Sequence, residues 1–290
     1  SGRAPGTAWR GKQVAHPVSG PAAHSRALLE QLPDHLRERV LPVSAGAVGV
    51  GAAGSGAVSA GAAGDTTAPA PPRYVLYWMR TGVRGHDNPA LDTALEAGHL
   101  LGIPIFVFLQ LSEAHPWSAA RHHRFFIEGA RDTQAELAER GVGFAFHLER
   151  TGHRGPHLRA LAAGAALIIT EDLPVTPLDR WTEAFAQVVE APVWAVDTAC
   201  TWPMRRVRAD VTRRAFKFRK ATERDRMERV RAGWPEWGRE WRADATIQPF
   251  VPPLTFEPLD LSGAGPAEID ALIAQCQVDH GIAPVPHTEG

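Results

Sequence analysis

Short apolar runs alternate with longer amphipathic segments over residues 73–200. The apolar runs occupy residues 74–79, 103–111, 142–148, 166–172 and 192–198. These runs are apolar at nearly every position, which is typical of parallel strands that are covered on both faces. Five such strands alternating with helices predict an α/β fold with a doubly wound, five-stranded parallel sheet of the Rossmann-like type.

Residues that cap helices appear between the predicted strands. Asp87 or Asn88, followed by Pro89, is typical of a helix that begins just after the first strand. Ser118 is the expected cap of a second, long helix, and Gly141 is the expected residue at its carboxyl end. The connections between strands are therefore predicted to be helical, as a parallel sheet requires.

The segments on either side of this domain have a different character. Residues 1–72 are predicted to be a disordered arm, although residues 25–40 have helical spacing and are expected to dock on the folded body. Residues 45–64 contain only Ala, Gly, Val and Ser, so they are interpreted as a flexible linker and not as a membrane span. Residues 201–290 are predicted to form a helical and irregular extension.

Composition narrows the function only slightly. The chain has 290 residues and a formal net charge of -1. It is therefore neither a polybasic nucleic-acid binder nor an acidic-tail protein, and any electrostatic attraction of a ligand has to come from a local cluster of charges. Cys200 and Cys276 match no disulfide or metal-ligand spacing. Because no signal peptide or membrane span is apparent, the protein is expected to work in the cytoplasm without a membrane partner.

One window is strongly basic. Residues 204–231 hold 12 Lys or Arg against 4 Asp or Glu, and Phe216 and Phe218 are interleaved with them. A helix of this kind is suited to follow a phosphate backbone, but it is equally consistent with a solvated helix whose arginines pair with the acidic body. The candidate DNA-binding residues in this window are Arg213, Arg214, Lys217, Arg219 and Lys220.

Polar and aromatic residues gather where the predicted strands end. Ligands of doubly wound folds bind outside the carboxyl ends of the strands. Acidic residues at such positions also cap turns, and buried tryptophans are common in α/β cores, so both interpretations stay open. No G-x-G-x-x-G or P-loop motif is present to identify a phosphate site. The candidate cofactor-binding residues are Trp78, Met79, Arg80, Asp172 and Asp197.

Several blocks resemble a known family. The stretch Y-W-M-R-T-G-V-R-G-H-D-N-P-A-L, which contains Tyr77, Arg84 and Asn88, resembles the first-strand signature of DNA photolyases of the class II type. The blocks I-I-T-E-D-L-P, V-W-A-V-D-T and R-R-A-F-K-F-R-K resemble later segments of the same family, in the same order. The loops D-L-P-V-T-P-L and D-T-A-C-T-W-P depart from the family pattern at strand ends, where an antenna pigment would bind.

The resemblance implies the antenna-type α/β half of a DNA photolyase/cryptochrome protein. In that family a helical domain holds FAD and splits cyclobutane pyrimidine dimers in DNA with light, and the α/β half can hold an antenna chromophore such as a deazaflavin. The sequence stops at Gly290, where the helical domain is expected, so no catalytic residue is assigned and a helical FAD-binding partner in cis or trans is expected. The alternative is a stand-alone, non-catalytic module of the same fold that binds a nucleotide or a partner.

Overall fold

A computed structural model describes residues 21–44, 74–115, 117–208, 210–235 and 249–283. The predicted linker at residues 45–64 lies outside these residues. The strands are β1 (Val40–Ser44), β2 (Tyr74–Met79), β3 (Ile105–Leu111), β4 (Gly143–Leu148), β5 (Ala165–Glu171) and β6 (Val193–Val196). The helices are α1 (Pro21–Gln31), α2 (Asp34–Arg37), α3 (Pro89–Leu101), α4 (Ala120–Glu139), α5 (His157–Gly164), α6 (Leu178–Val188), α7 (Ala215–Ala232) and α8 (Pro266–Ile273).

The six strands form one sheet in the order β1-β6-β5-β2-β3-β4. Strands β2 to β6 run parallel to one another, which confirms the predicted five-stranded parallel sheet. The chain adds β3 and β4 on one side of β2 and then crosses to add β5 and β6 on the other side. This reversal lies between β2 and β5, so the crevice favoured for ligands is expected at the carboxyl ends of those strands.

The sheet has one strand more than the sequence predicted. Strand β1 pairs with β6 in the antiparallel direction, so the part of the predicted arm that the structure describes lies on the folded body, as was expected for residues 25–40. Val40 is buried, and the indole Nε1 of buried Trp194 donates to Ser25 Oγ in α1 at 2.9 Å. Pro42 concealed this strand in the sequence, because a proline is tolerated only at a sheet edge, where its missing N–H needs no partner.

Side chains on the two faces of the sheet form two hydrophobic clusters. Within β2, Val75, Tyr77 and Met79 enter the cluster that also contains residues of α1, α3, α4 and α8. Tyr74 and Leu76 enter the opposite cluster, which contains residues of α5 and α6. This alternation follows from the two-residue period of a strand, and burial on both faces explains why the strands are apolar at nearly every position.

The ends of the helices agree only partly with the predicted caps. Asn88 caps α3 by accepting from the backbone N–H groups of Ala90 and Leu91, as the sequence predicted. The expected cap at Ser118 is wrong, because Ala119 precedes α4 and no side chain caps that helix. The N–H of Ala120 instead donates to the carbonyl of Asp279 in the C-terminal extension at 2.8 Å.

Residues 249–283 of the C-terminal extension run along the outer edge of β4 and the surface of α4. The N–H of Leu259 donates to Phe146 O at 3.0 Å, which occupies part of that edge. Arg124 of α4 forms an ion pair with Asp270 at 2.7 Å and thereby holds α8. The described parts of the extension are thus helical and irregular, as predicted.

Candidate functional site at the strand ends

Glu171, the last residue of β5, organises the loop that follows β2. Its carboxylate is fully buried and accepts from Tyr77 OH at 3.0 Å and from the N–H of Arg80 at 3.0 Å. The N–H and the hydroxyl of Thr81 each donate to it at 2.6 Å. Four donors satisfy this carboxylate. Glu171 therefore holds the loop after β2 in place, and its sequence position alone did not indicate this role.

Asn88 completes the same network from the start of α3. Besides capping the helix, its side-chain amide donates to Gly82 O and to Arg84 O, both at 3.0 Å. Arg84 in turn donates to the carbonyl of Asp87 at 3.0 and 3.1 Å. The polar residues that follow β2 thus bond mainly to one another and to the backbone, which fixes the shape of the loop.

The predicted cofactor-binding residues from β2 point in different directions. Met79 is fully buried in the core. The Trp78 ring packs against Phe185 of α6 at a centroid distance of 5.1 Å. Arg80 lies over Trp78 at 4.6 Å and donates to Thr182 Oγ1 of α6 at 2.8 Å. Trp78 and Arg80 therefore attach α6 to the sheet, and their role in binding a ligand stays a prediction.

The two predicted aspartates lie near β6. Asp197 is buried and accepts from the N–H groups of Ala199, Cys200 and Met204 at 3.2, 2.9 and 2.9 Å, so it caps the turn that follows the strand. Burial, reinforced by the nearby Asp197, raises the pKa of the Asp172 carboxyl. Asp197 therefore shapes the turn, while Asp172 remains a candidate contact.

A cavity of about 490 Å³ opens beside this turn, outside the carboxyl ends of β2 and β6. Four segments surround it: α2 and the residues after it, the start of α3, the turn after β6, and the end of α7 with the residues that follow. None of the five predicted cofactor-binding residues lines it. The lining residues are His35, Arg39, Asp87, Pro89, Thr198, Ala199, Cys200, Thr201, Arg229, Val230, Ala232, Gly233, Trp234 and Pro235.

Arg39 and Trp234 form one side of the cavity. The Arg39 guanidinium lies 4.9 Å from the centre of the Trp234 ring and donates to Asp197 O at 3.0 Å and Cys200 O at 2.7 Å. The Trp234 indole N–H donates to Asp92 of α3 at 2.6 Å. Burial lowers the pKa of His35, which packs edge-on against Trp234 at 5.5 Å. The cavity thus combines an aromatic wall with cationic and neutral polar groups, as small-molecule sites do.

Helix α7 is anchored at its carboxyl end and exposed elsewhere. Glu38 forms ion pairs with Arg229 of α7 at 2.5 Å and with Arg206 at 2.6 Å, and both arginines lie within 4.9 Å of the Trp202 ring centre. Thr222 is the buried residue of the helix. For Arg229 and Arg206, the interpretation in which arginines of the basic window pair with the acidic body therefore holds.

The five candidate DNA-binding residues lie at the opposite end of α7. Arg219 pairs with Glu223 at 2.9 Å, one turn further along the helix. Phe216 is 75% exposed between the basic residues. All five residues are exposed: Arg213, Arg214, Lys217, Arg219 and Lys220. Apart from the pair of Arg219 with Glu223, no ion pair involves them within the described part of the chain. The start of α7 is therefore a solvent-facing cationic surface, named the α7 basic surface below.

A pair of histidines lies at the carboxyl end of β4. The rings of His147 and His157 are 4.5 Å apart, and both contact Phe256 of the C-terminal extension. His157 Nδ1 lies 2.9 Å from Thr255 Oγ1. Burial, together with the nearby His157, lowers the pKa of His147 to about 4. His147 therefore stays neutral near pH 7, and the pair, whose rings pack against Phe256, is separate from the cavity.

Two classes of site are not found among the described residues. No group of three or more His, Cys, Asp or Glu side chains there is arranged to hold a metal ion. No helix in the same ranges is long and apolar enough to cross a membrane.

A mostly parallel sheet with helices on both faces and a cavity at its carboxyl ends defines a doubly wound α/β domain of the Rossmann-like type. The family model for DNA photolyase matches residues 75–236, which is more than half of the chain. The chain therefore belongs to the DNA photolyase family, as the resemblance of its sequence blocks implied.

Two known proteins are similar to parts of this chain. The deoxyribodipyrimidine photo-lyase of Methanothermobacter thermautotrophicus is 33% identical over 131 residues, which cover 45% of this chain and 29% of that protein. A solved structure of a bacterial class III photolyase from Agrobacterium tumefaciens is 18% identical, with a TM-score of 0.42. The matched region covers 55% of this chain and 33% of the photolyase chain. The chain thus matches about a third or less of the length of these proteins.

Proposed function

We propose that this chain is the α/β part of a protein of light-dependent DNA repair, and that it holds an antenna chromophore in the cavity beside β6. Membership of the DNA photolyase family supports the repair role. The position of the cavity, outside the carboxyl ends of parallel strands, is the observation that carries the ligand role. A deazaflavin-type ring is the chromophore that we propose.

Chemistry in this proposal takes place outside the described residues. A helical FAD-binding domain, in cis or in trans, splits the cyclobutane pyrimidine dimer, and the α/β part passes excitation energy to it. The dimer has to leave the base stack to reach a buried flavin, and the weakened pairing of damaged bases lowers the cost of that step. Asp197 supports the chromophore indirectly, because it holds the turn that forms one cavity wall.

Two matched variants test the ligand role. Ala232 lines the cavity at the end of α7, and Ala221 is exposed on the same helix away from it. Purified protein that is reconstituted with a deazaflavin and then separated from unbound dye by gel filtration is expected to retain an absorption band at longer wavelength than the protein's own. Ala232→Trp should weaken that band, whereas Ala221→Trp should leave it intact. If no band forms, or if both variants behave alike, the chromophore proposal fails.

The α7 basic surface supports a second role, direct contact with DNA. Its exposed cations and the exposed Phe216 ring suit a phosphate backbone with accessible bases. The double variant Lys217→Gln/Lys220→Gln should weaken binding to duplex DNA and lower the slope of log affinity against log salt by about two units. The control, Arg159→Gln/Arg180→Gln, removes the same charge from exposed positions on α5 and α6. Equal losses in both variants would show that only net charge matters.

A further inference from the structure

Arg39 is a buried cation that lacks a carboxylate partner. Its side chain is only 5% exposed, and its guanidinium donates to backbone carbonyls of the turn after β6. Its Nε is buried and has no hydrogen-bond partner, and no ion pair involves Arg39 within the described ranges. Burial lowers the pKa of Arg39 and outweighs the carboxylates of Asp197 and Glu38, which raise it. The buried charge is therefore incompletely compensated, so a negative charge in the adjoining cavity would be favoured.

A second cation faces the same cavity from α7. Arg229 pairs with Glu38, but Glu38 also pairs with Arg206, so two arginines share one carboxylate. Among the cavity-lining residues, the formal charges are those of Arg39, Arg229 and Asp87, which sum to +1 with His35 neutral. The remaining wall is largely apolar and includes Pro89, Val230 and Trp234. The cavity therefore offers one cationic side and one apolar or aromatic side.

We infer that the cavity selects a ligand that carries an anionic group, a phosphate or a carboxylate, beside a flat ring. This inference rests on the proposed chromophore role and specifies the charge of its ligand. Arg39 and Arg229 receive the anion, and the apolar wall receives the ring. Arg39 and His35 belong to the segment that precedes the family match at residue 75, so part of the selectivity comes from outside the family region.

Two commercially available probes share a ring and differ in charge. Riboflavin 5′-phosphate has a phosphate that riboflavin lacks, so the ratio of their dissociation constants reports the contribution of the anion. One charge-assisted contact to a buried guanidinium is expected to favour the phosphate form by about tenfold. Binding is measured by quenching of flavin fluorescence in titrations with the full chain, and the ratio should fall toward one as salt rises.

Matched variants locate the effect. Arg229→Gln should lower the preference for the phosphate form severalfold, and Arg39→Lys should keep most of it because the charge is retained. Arg206→Gln is the control, since Arg206 shares Glu38 but does not line the cavity. Lys217→Gln/Lys220→Gln controls for binding at the α7 basic surface. Melting curves establish that each variant is folded before its affinities are compared.

The outcomes separate this inference from the proposed function. A tenfold preference that falls in Arg229→Gln alone supports it. Equal binding of the two flavins in the cavity, blocked by Ala232→Trp, overturns the anion preference but leaves the chromophore role intact. A preference that disappears with Arg206→Gln or with the α7 double variant also overturns it, because the anion then binds elsewhere. Absence of binding by either flavin, together with no deazaflavin band, would remove both.

Discussion

Glu171 and Arg39 are both charged, both buried and both near the carboxyl ends of the strands, but their surroundings differ. Glu171 accepts four hydrogen bonds from one loop and one strand. Arg39 donates to backbone carbonyls and lies over the Trp234 ring, but its Nε has no hydrogen-bond partner and it faces a cavity. The comparison shows that a satisfied buried charge indicates a structural role, whereas an unsatisfied one beside open volume indicates a binding site.

The largest effect that tests this comparison is expected at Glu171. Glu171→Ala leaves the N–H groups of Arg80 and Thr81 and two hydroxyl groups without their acceptor, so the free energy of unfolding should fall by about 3–5 kcal/mol. Urea unfolding measures the loss. Glu183→Ala, at an exposed position in α6, is the control and should change little. A loss below about 1 kcal/mol at Glu171 would mean that the network is not structural.

His147, at the end of β4, is a third buried polar residue, and it avoids a buried charge by staying neutral. The pKa of His147 in the folded protein is about 4, below its ordinary value of 6.5. The unfolded chain therefore binds a proton that the folded chain does not, and stability falls as pH drops from 6.5 toward 4. We expect a loss of about 2 kcal/mol between about pH 7 and about pH 4.5.

His147→Gln removes this titration and is the matched variant. Urea unfolding of the two proteins over the same pH range should show a shallower pH dependence for the variant, whatever its stability at pH 7. The pKa values of His35 and His123 are also lowered by burial, so both proteins keep a common slope in the same direction. Parallel curves for the two proteins would show that His147 is protonated in the folded state.

Substitution of Arg39 is expected to lower the free energy of unfolding less than substitution of Glu171, and this difference tests directly whether the two buried charges have different roles. Arg39→Met loses hydrogen bonds to the carbonyls of Asp197 and Cys200. It also removes a buried cation whose desolvation outweighs its attraction to Asp197 and Glu38. These two terms partly cancel, so the free energy of unfolding should fall by about 1–2 kcal/mol. If urea unfolding shows a loss as large as that of Glu171→Ala, Arg39 is a structural residue and the argument for an anion site weakens.

The fold was predictable to the extent that burial left a local pattern. Strands β2 to β6 are buried on both faces, so their residues are apolar in succession, and Asn88 with Pro89 marked the start of α3. Strand β1 was not predicted, because Pro42 suggests a loop unless the strand is known to lie at the edge of the sheet. An element was therefore predicted where its pattern lay within a few consecutive residues, and it was missed where its formation depended on pairing with a strand distant in the sequence.

The site was less predictable for the same reason. Asp197 was recognised at a strand end, and its alternative role as a turn cap describes its contacts. Arg39 bonds to a carbonyl 158 residues away, and Trp234 bonds to Asp92, 142 residues away. No spacing within the sequence brings such residues together. A single sequence therefore indicates which edge of the sheet binds, but it does not identify the side chains that line the cavity.

The smallest effect on stability is expected on α7, where a charge pair is fully solvated. Glu223 and Arg219 are both exposed, and water already solvates each of them, so Glu223→Gln should leave the free energy of unfolding unchanged. The same change frees the Arg219 charge for a phosphate, and affinity for duplex DNA at low salt should rise about twofold. Fluorescence anisotropy with labelled duplex measures this, and Glu228→Gln, which breaks the pair with Arg224 nearer the anchored end, is the control. An equal rise in both variants would indicate a general effect of net charge, whereas a rise in Glu223→Gln alone would place the DNA contact at the start of α7.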